Sequence, residues 1–168
     1  MEGFELRHLW PTLEMLAEEL NRSGLACRVE RGGAGRCFRG ARRFSDSGAP
    51  SGDVIYVLGP GDAARFPGGT RACVSTVPAT GRAGCILCLN QTPEAVLDAL
   101  LEIFERCRDM EARLDELIYR GGDLRELCEL GAFMLDYPIC IHDDWFVMIA
   151  RSRELSEVMP PYYVMSSS

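Results

Sequence analysis

Helical spacing of apolar residues occurs early in the chain only once. In WPTLEMLAEELNRSG, Leu13, Leu16, Ala17 and Leu20 form one stripe, and Gly24 is placed to stop the helix. LACRVE, Leu25 to Glu30, reads as a strand. From Arg31 to Asp53 the pattern is lost to Gly, Arg, Ser and Pro, which predicts a long loop or a weak hairpin. DVIYVL, Asp53 to Leu58, is a strand. GPGDAARFPGG is a turn with one helical turn at Asp62 to Phe66. RACVST and GCILCLN are two further strands, with Cys85 to Leu89 read as fully buried. Helix, strands and then a long helix predict an α/β unit with a small mixed sheet and flanking helices.

The strongest periodicity lies in TPEAVLDALLEIFERCRDMEARLDELIYR. Thr92 is the N-cap and Pro93 the first helical residue. Val96, Leu100, Ile103, Cys107, Met110, Leu114 and Leu117 alternate spacings of 4 and 3, a heptad seam. Leu97, Leu101, Phe104 and Ile118 widen the stripe in places. A wide stripe suits packing on a domain and a narrow one suits a partner helix. The half from Arg106 to Arg120 is the narrow one, so these seven residues are candidates for a dimer seam. The same pattern also fits an amphipathic helix lying on its own sheet.

Gly121 and Gly122 end that helix. In GDLRELCELGAFMLDYP, Asp123 and Glu126 have capping-box spacing, and Leu124, Leu127, Cys128, Gly131 and Leu135 share a face. Pro138 ends this helix, and ICIHD and WFVMIARS follow as two short strands around an acidic turn. The tail MPPYYVMSSS has no clear pattern. The chain is thus read as an α/β domain over 1–91, a connecting helix over 92–120 and a helix–hairpin segment over 121–168.

Composition narrows the function classes. The net charge of −7 opposes wrapping of nucleic acid or docking on an anionic membrane. All 18 basic residues are Arg, as a GC-rich genome favours. No basic leader with an apolar run and no membrane-length apolar run is present, so a cytoplasmic location is expected. The eight cysteines, Cys27, Cys37, Cys73, Cys85, Cys88, Cys107, Cys128 and Cys140, mostly sit in apolar runs and are expected to be buried and reduced.

Chemistry-bearing motifs are sparse. Cys85 and Cys88 form one CxxC, but no second pair exists, and His8 and His142 are the only histidines. A redox CxxC sits at a helix N-terminus, whereas this one falls in a strand, so a core role is expected. The Gly/Arg stretch from Glu30 to Gly48 lacks the spacing of a phosphate loop. LGPGDAARF offers a weak anion site at one helical turn. Asp143 and Asp144 lie between apolar runs and read as a hairpin turn, because Asp carboxylates bond nearby backbone N–H groups. No Ser elbow, and no Cys–His pair with an orienting acid, can be placed from sequence.

Leu124 to Leu155 resembles the start of the PAS/GAF-like sensory region of PucR-type (purine catabolism regulator) and sugar-diacid-regulator-like transcription factors. The matching positions are Leu135, Pro138, Ile139, Ile141, Asp143, Phe146, Val147 and Ser152. Asp53 to Arg120 is also similar, as a small α/β region running into the sensory region. The resemblance implies a non-catalytic, signal-sensing and dimerising N-terminal region of a bacterial regulator, with the helix-turn-helix absent from this chain. Its implied partners are a second copy and an unidentified small-molecule effector, with no cofactor, metal, membrane or direct nucleic-acid contact. Two other classes remain open: a small enzyme or binding protein taking an anionic ligand on its Gly/Arg loops through Arg36 or Arg39, and a pure interaction adaptor.

Overall fold

The computed structural model describes residues 10–31, 35–45, 51–67, 72–78, 84–135 and 137–152. The sequence readings of residues 1–9, with His8, and of the tail from 159 onward lie outside these residues. The chain has mixed α/β content and divides into two compact units, Met1–Cys107 and Arg108–Ser168.

In the first unit, α1 spans Leu13–Arg22. The Thr12 hydroxyl caps it by accepting from the Met15 N–H at 3.4 Å. The expected stripe, Leu13, Leu16, Ala17 and Leu20, is buried. Gly24 follows at φ +84°, a left-handed conformation that a side chain disfavours. Strands β1 (Arg28–Arg31), β2 (Gly40–Arg43), β3 (Val54–Leu58), β4 (Cys73–Ser75) and β5 (Cys85–Leu87) form one sheet, in the order β1-β5-β4-β3-β2. β2 to β5 run parallel, and β1 closes one edge antiparallel to β5. The short helix α2, Asp62–Arg65, links β3 to β4.

Register explains why the central strands read as unbroken apolar runs. Tyr56, Cys73 and Cys85 lie in one row, and Leu58, Ser75 and Leu87 in another row on the same face. Phe44 and Phe66 pack with them, their rings edge-on at 5.2 Å. The opposite face presents Ile55, Val57, Val74 and Ile86, all buried. α1 lies against β1 and β5. Beside α1 runs α3 (Pro93–Tyr119), joined to it by Trp10 against Phe104 at 6.4 Å and by Arg106–Glu19 at 2.8 Å. With both faces buried, a parallel sheet loses the alternation of a half-exposed one.

Two expectations are corrected here. The segment from Arg31 to Asp53 is not only loop: Gly40–Arg43 is an edge strand paired in parallel with β3, Gly40 opposite Val54. Two of its four residues are Arg, so it carries no apolar alternation. Its anchors are Phe38 and Phe44, buried just outside it. Second, Cys27 and Cys88 are not free thiols but form a disulfide. The bridge ties the entry to β1 to the exit of β5, and Asn21 holds the Cys27 backbone through two hydrogen bonds of 2.8 and 3.0 Å.

The second unit begins within α3. The helix ends in a Schellman motif: Gly121, at φ +67°, donates to Ile118 O at 3.2 Å and Gly122 to Leu117 O at 2.8 Å. α4 spans Leu124–Leu135. Its expected capping box is formed, Glu126 N–H to Asp123 Oδ1 at 2.8 Å and Asp123 N–H to Glu126 Oε2 at 3.2 Å. Of its expected face, Cys128 is buried and Gly131 lies against Ile139, whereas Leu124 and Leu127 are exposed. The side chain of Leu135 lies outside the described residues. β6 (Cys140–His142) and β7 (Met148–Arg151) form the antiparallel hairpin. Ser152 is buried at its base and exchanges bonds with Ile139, N–H to O at 2.9 Å and Oγ from Ile139 N–H at 3.1 Å.

Candidate functional site

Ligands of parallel sheets bind outside the carboxyl ends of the strands. After β3, Gly59, Pro60 and Gly61 turn the chain into α2. The Gly59 N–H does not face outward: it donates to the buried Asp62 carboxylate at 2.8 Å. Arg65 bonds the other carboxylate oxygen at 3.0 Å. Arg43 lies 3.6 Å from Asp62 and 2.6 Å from Glu94 on α3. The chain's own carboxylate therefore occupies the place where the LGPGDAARF turn would hold an anion.

Described residues of the Gly/Arg stretch are similarly engaged. Arg39 stacks on Trp10 at 5.5 Å and Arg42 on Tyr56 at 6.0 Å. The Ser51 hydroxyl bonds Asp53 and holds its carboxyl below the usual range, aided by the Asp53 backbone N–H and by the charges of Arg39 and Arg36. These arginines brace the edge of the sheet. Cys85 and Cys88 are both buried, Cys85 as a thiol and Cys88 in the bridge to Cys27.

The seam candidates fall into two groups. Val96, Leu100, Ile103 and Cys107 are buried in the first unit, where they serve its core. Leu117 is buried in the second unit, and a Cβ on Gly122 would collide with it. Met110 and Leu114 are half-buried.

The hairpin holds the densest polar geometry. Asp143 makes the turn: its Oδ1 accepts from Trp145 N–H at 2.9 Å and Val147 N–H at 2.8 Å. Its backbone closes the loop with Val147 and Phe146, both at 3.0 Å. Phe146 sits at φ +60°, a conformation that costs a bulky residue about 1–2 kcal/mol. This strained residue points its carbonyl at His142, whose Nδ1 lies 3.1 Å away. On the other side of the ring, Nε2 lies 3.3 Å from the Cys140 thiol.

Sequence reasoning missed that pair. The signal was available, since residues two apart on a strand share a face. The orienting group is a backbone carbonyl, however, and no side-chain search finds it. Cys128 on α4 is buried and bonds the backbone of Ile141 on β6, the residue that follows Cys140. Burial first, then Cys140 and Glu129, push its thiol above its ordinary pKa. Among the described residues, no three His, Cys, Asp or Glu side chains are grouped to hold a metal ion.

Among the described residues, no helix is long and apolar enough to cross a membrane. No family model, no curated protein and no solved structure matches this chain.

Proposed function

We propose that the chain is the signal-sensing and dimerisation region of a bacterial transcription regulator, with DNA binding carried elsewhere. One observation carries the reading. Among the described residues the first unit leaves only Met15 and Leu101 exposed as large hydrophobic side chains, whereas the second leaves ten. Tyr119, Phe133, Trp145 and Phe146 are among them, at 95%, 70%, 85% and 88% exposure. Large apolar side chains exposed in that number support an interaction role for the second unit. The one helix shared by the two units, α3, carries Met110 and Leu114 into that unit. In this reading the first unit is a closed scaffold, the second is where copies meet, and an effector acts by favouring one pairing over another.

The alternative, an anionic ligand held through Arg36 or Arg39, would require Arg39 to leave the ring of Trp10, and at the neighbouring turn the Gly59 N–H and Arg43 already face the Asp62 carboxylate.

Fusion to a DNA-binding domain that recognises its operator only as a dimer tests the proposal. The fusion is expected to repress a reporter, and Leu114→Glu is expected to relieve that repression. A fusion that is present in the cell at wild-type levels and does not repress contradicts the proposal.

A further inference from the structure

We propose that Cys140, His142 and Cys128 form a peroxide-reactive thiol pair, in which Cys140 is the attacking sulfur, His142 its base and Cys128 the resolving thiol. The chemistry stands on the geometry of the second unit. Its role as the sensed signal rests on the regulatory reading above.

The parts match what an activated nucleophile requires. Cys140 and His142 are alternate residues of β6, with sulfur and Nε2 3.3 Å apart. The Phe146 carbonyl is an obligate acceptor, so it selects the tautomer with the proton on Nδ1, donated over 3.1 Å. Nε2 is then left with its lone pair toward the thiol. The same Asp143 turn that fixes Phe146 therefore sets the base. Backbone strain on a residue that orients a histidine is the kind of outlier that accompanies function. Access is not blocked, since Cys140 is half-buried and His142 is exposed. Cys128 is buried and bonds the Ile141 backbone, one residue from Cys140, and burial pushes its pKa up, so it reacts slowly alone.

The reaction balances with a hydroperoxide as oxidant. His142 takes the Cys140 proton, and the thiolate attacks the terminal peroxide oxygen. A sulfur–oxygen bond forms, the oxygen–oxygen bond breaks, and the departing alkoxide takes the proton from His142 as an alcohol, or as water from hydrogen peroxide. Sulfur is oxidised by two electrons and the peroxide is reduced. The Cys128 thiol then attacks the sulfenic sulfur, a disulfide forms, and hydroxide leaves with the thiol proton as water. A dithiol reductant reverses the bridge. Oxidation and reduction thus move the pair between two covalent states, which fits a sensory region.

The test treats the full chain with equimolar hydrogen peroxide, quenches with an alkylating reagent and reads each cysteine by peptide mass. Cys37, a half-buried free thiol bonded only weakly to Gly35 O at 4.0 Å, is the internal reference. Cys140 is expected to oxidise at least about a hundred-fold faster than Cys37, the usual scale of general-base assistance. A Cys128–Cys140 bridge is expected in the wild type, and a sulfenic acid trappable by a 1,3-dione in Cys128→Ser. His142→Asn is expected to remove the rate advantage. Equal rates at Cys140 and Cys37 overturn the proposal without any variant, as does a wild-type sulfenic acid that never resolves to a bridge. Fast bridging in a chain that neither dimerises nor represses leaves the thiol chemistry standing and overturns only the regulatory reading.

Discussion

At the scale of single residues, Asp143 shows how a pair of acids that suggests catalysis is used for shape. Two backbone N–H groups converge on one of its carboxylate oxygens. That leaves Asp144 and the ring of Trp145 facing solvent. Asp143→Ala is expected to cost the second unit about 1–2 kcal/mol, the usual scale for a side chain that satisfies backbone donors. A urea midpoint followed by far-ultraviolet dichroism reads the loss, whereas the same change at Asp144 is expected to be near neutral. The turn was legible in the sequence because Asp bonds backbone two to four residues ahead. The contacts of His142 were not, because they depend on a carbonyl whose direction is set only when Phe146 adopts positive φ.

At the scale of elements, legibility followed locality. α1, α3, their caps and the Asp123–Glu126 box are written within a few residues of one another, and the structure forms all of them. β2 was not legible, because an edge strand of Gly, Ala and two Arg is chosen by its neighbour β3 rather than by its own pattern. The Cys27–Cys88 bridge was hidden for a related reason. Its halves are 61 residues apart and meet only once β1 has paired with β5. The bridge restrains the unfolded chain, and a loop of 61 residues corresponds to about 4 kcal/mol in the chain-entropy account. Replacing both cysteines with Ser is expected to lower the first unit's stability by a sum of that order. Fluorescence of the buried Trp10 during urea unfolding measures it, and a midpoint unchanged by the double replacement would show that the bridge does not stabilise the fold.

At the scale of the whole molecule, the heptad seam divides by use. Its first four residues complete the first unit's core, and Met110 and Leu114 lie half-buried where the second unit begins. The first half of the pattern fills a core and the second half is the proposed partner seam, so spacing alone did not distinguish a core helix from a partner helix. The apolar exposure of the second unit supplies the asymmetry that spacing lacked. The most direct test is the solution mass of the chain by light scattering over a concentration series, beside Leu114→Glu. The account predicts a dimer of twice 18.6 kDa for the wild type and a shift toward monomer for the variant. A wild-type chain that stays at 18.6 kDa across the whole series contradicts it.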